Sequence, residues 1–238
     1  MDIETARFNM IEQQIRPWNV LDQAVLSLLA TVRREDFLPP ALRALAFVDT
    51  QVPLEKSPDH LTTSIATTAA GTADGACMLE PKVEARLLQE LQVQRHEKVL
   101  EIGTGSGFMA ALLAHRGQWV FSLECRPALA AMARSSLARN GVANVSVLDV
   151  DVQAGTRGLP AEAPFDVVLL SGSVFEVPQG LLAQLKVGGR LAAVVGNEPV
   201  MQARLYTRAS ETAWSQADLF DTVAPRLEGF GEPSRFRF

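Results

Sequence analysis

Apolar positions recur with a helical period over residues 1–56. Phe8, Ile11 and Ile15 fall on one face of a first helix, and Asp22 is placed to cap a second. Two consecutive prolines then interrupt the chain before one further short helix. This part of the chain is therefore predicted to be helical.

After this region the pattern alternates between short apolar runs, which are typical of buried strands, and helical stripes. Such alternation predicts a parallel sheet with helices on both faces, and two final strands with no helix between them predict an antiparallel hairpin at one edge. The fold class is thus α/β, a doubly wound and mostly parallel sheet with an antiparallel edge hairpin and a helical N-terminal extension. The predicted strands are 98–102, 119–123, 145–148, 165–170, 190–195, 201–207 and 213–220. One helix is predicted to begin just past Pro81, and three more are predicted at 107–115, 127–140 and 180–185. A looped region is predicted after residue 148.

Residues 57–76 are rich in Thr, Ala and Gly and contain few large apolar groups. This composition predicts an exposed, flexible insertion. It is either a plain surface loop or a lid over a ligand. The insertion divides the chain into the helical N-terminal region and an α/β domain over 77–238.

Composition removes several functional classes. The 238 residues carry a formal net charge of −5 and no dense run of Lys and Arg, which argues against a nucleic-acid-binding protein. No run approaches about 18 uninterrupted apolar residues, so no membrane span is expected. Two cysteines and three histidines at no metal-ligand spacing predict no metal site. The acidic start lacks the basic segment of a signal peptide, which predicts a cytoplasmic location, and the oligomeric state stays open.

Three alternating glycines, Gly103, Gly105 and Gly107, join the predicted strand 98–102 to the next helix. Glycines permit a tight turn whose backbone can press against a ligand, and the following helix presents free N–H groups. Glu124 ends the next predicted strand, where a carboxylate can accept both ribose hydroxyls of a nucleoside. The turn and the carboxylate together predict a nucleoside site at the carboxyl ends of the strands.

The loop spacing and one acidic residue indicate which nucleoside binds. A dinucleotide loop runs Gly-x-Gly-x-x-Gly and leaves room for a pyrophosphate, whereas this loop runs Gly-x-Gly-x-Gly. Glu101 lies just before it and would repel a phosphate. A carboxylate there suits the sulfonium and amino groups of S-adenosylmethionine, so the sequence favours a methyl donor over NAD.

Further polar residues lie at the predicted ligand edge. Thr104 and Ser106 lie within the glycine loop. Asp151 follows the third predicted strand, where it either accepts a hydrogen bond from an adenine amino group or only forms a turn. Ser171 follows the fourth strand, where a bare turn with Gly172 is the alternative.

The sequence contains no recognisable acid–base or nucleophilic constellation. Methyl transfer from a sulfonium is a single in-line displacement that depends mainly on positioning. A carboxylate acceptor, with a pKa of roughly 4, is already ionised at pH 7 and needs no general base. The missing constellation therefore fits an O-methyltransferase that acts on a carboxylate.

Several motifs resemble one known family, the protein-L-isoaspartate O-methyltransferases, over roughly residues 8–55 and 77–200. The cofactor loop is shared with many methyltransferases, while the N-terminal motif and the two motifs of the second half are more specific to the family. The matching segments are Arg33-Arg-Glu-Asp-Phe-Leu-Pro39, Val99-Leu-Glu-Ile-Gly-Thr-Gly-Ser-Gly107, Ala163-Pro-Phe-Asp166 and Lys186-Val-Gly-Gly-Arg-Leu191.

The resemblance implies the S-adenosylmethionine-dependent methyltransferase type of this fold and the repair of isoaspartyl residues in damaged proteins by esterification of their carboxylate. The partner would be an isoaspartyl-containing protein or peptide. By carry-over from the family, the cofactor pocket would be lined by Glu101, Gly103, Gly105, Glu124 and Asp151.

One departure from the family pattern affects the acceptor side. Active family members carry Thr-Ile-Ser-x-Pro, whose serine hydroxyl lies near the acceptor carboxylate. The corresponding segment here is Cys77-Met-Leu-Glu-Pro81, so Leu79 replaces that hydroxyl. Lys82 is a candidate for a compensating positive charge. The alternatives are a methyltransferase for another small-molecule or protein acceptor, a non-catalytic binding protein of the same fold, and an NAD-dependent reductase.

Overall fold

The computed structural model describes residues 2–54 and 75–231. The N-terminal region is helical, as predicted. Helix α1 (Ile3–Asn9) continues through a π-helical stretch (Met10–Ile15) and a 3-10 turn, and helix α2 (Gln23–Thr31) follows. The Asp22 carboxylate accepts a hydrogen bond from the N–H of Ala24 (2.7 Å), which confirms that it caps α2.

The predicted apolar face of the first helix is wrong at one position. Ile11 and Ile15 are buried, but Phe8 is 63% exposed and Met10 is buried in its place. A π-helical turn contains an additional residue, so it changes the helical phase between Phe8 and Ile15. The third helix predicted in this region is present as a 3-10 helix (Pro40–Phe47).

A short antiparallel pair, strands β1 (Val52–Pro53) and β2 (Cys77–Met78), flanks the insertion. This pair could not be predicted from the sequence, because two-residue strands carry no periodic pattern. Most of the predicted flexible insertion, residues 57–74, lies outside the described residues. Its last residue, Ala76, is held by its carbonyl, which accepts a hydrogen bond from the N–H of Leu54 (2.9 Å).

Seven strands form the central sheet in the order β5-β4-β3-β6-β7-β8-β9. The first five strands in this order run parallel, and the last two add an antiparallel edge, as predicted. Crossover connections that change direction beside β3 make this a doubly wound sheet. The strands are β3 (Lys98–Ile102), β4 (Trp119–Glu124), β5 (Val145–Asp149), β6 (Phe165–Val174), β7 (Leu185–Asn197), β8 (Val200–Arg208) and β9 (Trp214–Asp221).

Helices cover both faces of the sheet, and two of them differ from the prediction. A six-residue helix, α6, occupies the region predicted as a loop, because a segment containing Gly155 shows no clear apolar stripe. Helix α7 ends before Leu185, since Leu185 already begins β7. The helices after the insertion are α3 (Pro81–Leu91), α4 (Phe108–Arg116), α5 (Pro127–Arg139), α6 (Val152–Arg157) and α7 (Gln179–Leu182).

Two buried apolar clusters form the core, one on each face of the sheet. The larger cluster joins Met10 and Phe37 of the N-terminal region to Phe108 of α4 and Leu137 of α5. The second cluster includes Leu181 and Phe230. The N-terminal helices thus pack directly on the face that supports the glycine turn.

Candidate active site

The turn between β3 and α4 contains the three predicted glycines. Gly103, Gly105 and Gly107 have φ angles of 92°, 53° and 85°, a left-handed region that favours glycine. A Cβ at Gly107 would lie 3.1 Å from the Cβ of Ala133 on α5, so this glycine also permits close helix packing. The turn therefore needs glycine both for its left-handed backbone conformation and for its close contact with α5.

Glu101 lies at the base of this turn and is fully buried. Its carboxylate accepts hydrogen bonds from the hydroxyls of Ser122 (2.6 Å) and Ser171 (2.7 Å). Burial raises the pKa of Glu101 to about 7, while the two serine hydrogen bonds oppose this shift. A cation placed beside this group would stabilise its ionised form.

Glu124 ends β4 and is also buried. One carboxylate oxygen accepts a hydrogen bond from the N–H of Gly105 (2.8 Å), and the other accepts one from the N–H of Arg126 (3.0 Å). The parallel register brings the ends of β3 and β4 together, as the sequence analysis expected. Two acidic side chains therefore flank one bare turn of backbone.

The remaining predicted residues lie around the same turn. Thr104 and Ser106 are buried, and the Thr104 hydroxyl lies 2.6 Å from that of Ser122. Ser171 was expected just past the fourth predicted strand but lies within β6, at the register shift between Leu169 and Ser173, and it donates a hydrogen bond to Glu101. Asp151 is exposed and caps α6 by accepting a hydrogen bond from the N–H of Ala154 (2.7 Å), so its contact with an adenine stays a prediction.

A cavity of about 450 Å³ opens beside the turn. This volume lies within the range of small-molecule sites, about 300–1,000 Å³. Its lining includes Gly103, Gly105 and Glu124 on one side, Ser171 and Gly172 on another, and Leu79 at the acceptor segment. The cavity lies at the carboxyl ends of the strands, where ligands bind in open α/β sheets.

The segment after β9, residues 224–230, returns across this end of the sheet, which the sequence analysis did not anticipate. Its backbone forms two hydrogen bonds with the backbone of Ser173. The Ser173 N–H donates to the Pro225 carbonyl (2.7 Å), and the Leu227 N–H donates to the Ser173 carbonyl (2.9 Å). Leu227 packs on Gly103 and Gly172, where a Cβ at either glycine would lie within 3 Å of its side chain. Glu228 accepts a hydrogen bond from Arg126 Nε (2.7 Å).

The two acceptor-side candidates have different surroundings. Leu79 is buried, lines the cavity, and holds Arg34 through its carbonyl, which accepts a hydrogen bond from Arg34 Nη2 (2.6 Å). Lys82 Nζ lies 2.7 Å from an Asp49 carboxylate oxygen and 4.5 Å from the centre of the Trp18 ring. The positive charge of Lys82 is thus directed to these two groups, outside the cavity lining that the structure describes.

Within residues 2–54 and 75–231, no group of three His, Cys, Asp or Glu side chains is arranged to hold a metal ion. In the same ranges, no helix is long and apolar enough to cross a membrane.

The site offers two acidic groups, a glycine turn and a cavity of nucleoside size. This arrangement can bind a cationic nucleoside and position it for transfer.

The family model described as Protein-L-isoaspartate(D-aspartate) O-methyltransferase matches residues 5–223. The chain belongs to this family. Among its relatives, a Protein-L-isoaspartate O-methyltransferase 2 from Marinobacter nauticus is 37% identical over 98% of this chain and 97% of its own length. The family membership that the sequence motifs indicated is confirmed.

Solved structures support the fold of this isoaspartate O-methyltransferase family member. One protein-L-isoaspartate O-methyltransferase aligns with a TM-score of 0.73 at 21% identity, over 94% of this chain and 66% of that chain. A putative family member from Plasmodium falciparum, solved in complex with S-adenosyl-L-homocysteine, aligns with a TM-score of 0.70 at 16% identity over 96% of this chain and 99% of that chain. The predicted methyltransferase type of doubly wound sheet is thereby confirmed.

Proposed function

We propose that this chain methylates the carboxylate of isoaspartyl residues in damaged proteins, with S-adenosylmethionine as the methyl donor. Family membership over residues 5–223 supports the reaction and the donor. The structural observation that carries the proposal is the pair of buried carboxylates, Glu101 and Glu124, on either side of the glycine turn. With this match, a different acceptor class or a non-catalytic role is not favoured.

The residues of the cavity fit this donor. Glu124 would accept the ribose hydroxyls, and the backbone of Gly103 and Gly105 would allow the nucleoside to approach closely. Glu101 would stabilise the positive charge of the donor in a buried environment, where electrostatic interactions are less screened than in water. A dinucleotide would instead bring its pyrophosphate against Glu101.

When bound, S-adenosylmethionine would supply a methyl group on a sulfonium: the acceptor carboxylate oxygen would bond to the methyl carbon in line with the breaking C–S bond, whose electron pair would stay on sulfur. The acceptor carboxylate is ionised at pH 7, so the chain needs no general base. Its residues contribute by binding and orientation, which can supply a large part of the rate. No catalytic triad was recognised in the sequence, which agrees with a chain that acts by binding and orienting the donor and the acceptor.

Methyl transfer to a synthetic peptide tests the proposal. The purified chain is incubated with S-adenosylmethionine labelled in the methyl group and a peptide that contains one isoaspartyl residue. The matched control is the same peptide with ordinary aspartate at that position. We expect one base-labile methyl group per isoaspartyl peptide and none on the control, whereas equal or absent labelling of both peptides would contradict the proposal.

A further inference from the structure

Arg226 is among the residues that line the cavity. It forms a parallel bridge with Ser173 at the end of β6. The strand order places β6 and β7 on one side of β3, and β4 with Glu124 on the other. Since the proposed nucleoside contacts lie on β3 and β4, Arg226 lies at the half of the cavity that remains for the acceptor.

The Arg226 guanidinium is held in place by the end of the neighbouring strand. Its Nη2 atom donates hydrogen bonds to the Gly196 carbonyl (2.8 Å) and to Asn197 Oδ1 (2.5 Å), both at the end of β7. A guanidinium is planar and carries five N–H donors. These two contacts fix the orientation of that plane beside the cavity.

Other groups on the described cavity wall are less suited to an anion. Arg126, the other cationic side chain among the described lining residues, lies beside Glu124 at the proposed nucleoside half of the cavity, where its backbone N–H donates to Glu124 and its side chain contacts Glu228. Leu79 presents only methyl groups. Burial raises the pKa of the Cys77 thiol to about 12, so this group stays neutral and donates only weakly.

We infer that Arg226 binds the acceptor carboxylate and so determines the specificity of the enzyme for an acidic acceptor. The inference rests on the proposed function, which makes the acceptor an anion. The planar fork of an arginine matches the two oxygens of a carboxylate, and such charge-assisted hydrogen bonds are stronger than neutral ones. Arg226 would supply the donor that the Leu79 side chain does not.

The reaction itself dictates which kinetic constant Arg226 affects. The acceptor carboxylate loses its negative charge as it is methylated, so its attraction to Arg226 weakens toward the transition state and is smallest in the ester. An interaction that is strongest in the ground state lowers KM without raising kcat. It also favours release of the neutral product.

Substitution of Arg226 tests this inference on the intact chain with the isoaspartyl peptide. Arg226→Met is expected to raise the KM for the peptide about 10- to 100-fold, the loss of one charge-assisted contact, while kcat stays the same or rises, because the lost attraction is weaker in the transition state. Arg226→Lys, which keeps the charge, should recover part of this loss. The affinity for S-adenosylmethionine should be unchanged in both variants. Arg204→Met, which removes a half-buried arginine of β8 paired with Asp218 away from the described cavity, is the matched control.

Two outcomes would overturn the role of Arg226: an unchanged peptide KM in Arg226→Met, or a loss of donor affinity as large as the loss of peptide affinity. If the Met variant does not fold, product inhibition of the wild-type chain decides. We expect the methyl ester of the peptide to bind at least about tenfold more weakly than the acid, and equal binding would contradict the inference. A wild-type chain that methylates no isoaspartyl peptide would instead overturn the proposed function itself.

Discussion

At the scale of single residues, Glu101 has the most unusual environment of the site. The sequence placed it correctly before the turn, but its two serine partners come from β4 and β6 and were not identifiable beforehand. Its raised pKa means that the folded chain binds a proton more tightly than the unfolded chain does. The resulting stability is present below the unfolded pKa of about 4.5 and is lost as the pH rises through about 7.

The ionisation of Glu101 leads to a pH prediction for donor binding. Because the ionised form attracts the cationic donor, the affinity for S-adenosylmethionine should rise with pH up to about 7 and then level off. Below that value it should fall by at most about tenfold per pH unit. Calorimetric titration between pH 5.5 and 8.5 measures this dependence. The Glu101→Gln variant should show a flat profile, and a profile as steep as that of the wild type would assign the effect to another group.

Glu124 gives a second residue-scale prediction. Its replacement by alanine removes the proposed ribose acceptor and the partner of the Gly105 N–H. We expect donor affinity to fall by about 1–3 kcal/mol, the typical effect of losing a charged hydrogen-bonding partner. Asp218→Ala is the comparison, because Asp218 is exposed on β9, where it pairs with Arg204 and does not line the described cavity. Unaltered donor affinity in Glu124→Ala would exclude the ribose role.

Leu79 gives a prediction on the acceptor side. A serine at this position would bring a hydroxyl to the cavity wall that Leu79 lines. One added hydrogen bond to a charged acceptor is worth about 1–3 kcal/mol, so Leu79→Ser should raise isoaspartyl methylation by about 10- to 100-fold. Leu79→Ala controls for the enlarged space. Equal rates in the Ser variant and the wild type would show that the missing hydroxyl does not limit the reaction.

At the scale of elements, the sequence predicted the parts that depend on local pattern. The strands β3 to β5 are short runs with a strong apolar signal, and the hairpin β8–β9 follows from the missing helix. The strands β6 and β7 were identified but extend beyond their predicted ranges, 165–170 and 190–195. The β1–β2 pair is too short for a periodic pattern, and helix α6 has no clear apolar stripe. The returning segment 224–230 was missed because it depends on contacts with Ser173, distant in the sequence. For the same reason Arg226 and Leu227 could not be assigned to a cavity whose glycine turn lies about 120 residues earlier in the chain.

The connection between the N-terminal region and α3 gives a stability prediction. Arg34 is buried, pairs with Glu84 of α3, and supports the Leu79 carbonyl. Burial lowers the pKa of Arg34 to about 9, which leaves it charged at neutral pH. Arg34→Met would leave the Glu84 carboxylate buried without its cation, at a cost of about 3–5 kcal/mol in unfolding free energy.

Denaturant unfolding measures this cost, and two further variants define its origin. Replacing both partners, as in Arg34→Met with Glu84→Leu, should recover most of the lost stability, because no buried charge then remains. Arg204→Met, at an exposed ion pair, should cost less than about 1 kcal/mol. A loss below 1 kcal/mol in Arg34→Met would show that the pair does not support the fold.

At the scale of the whole molecule, the N-terminal helices and the sheet share one apolar core, and the cavity lies at the sheet end above it. The insertion and the division into a helical region and an α/β domain over 77–238 remain predictions. Three distant parts of the chain meet at the cavity: the segment of Leu79, the glycine turn, and residues 224–230. Family membership and this geometry agree on one reaction.

Selection of a cationic adenosyl donor by the two buried carboxylates is the central claim. Its most direct test is calorimetric titration of the wild-type chain with S-adenosylmethionine and, in parallel, with NADH. We predict one S-adenosylmethionine bound per chain and no heat with NADH, because a pyrophosphate beside the glycine turn would be repelled by Glu101. Binding of NADH without binding of S-adenosylmethionine would contradict the claim.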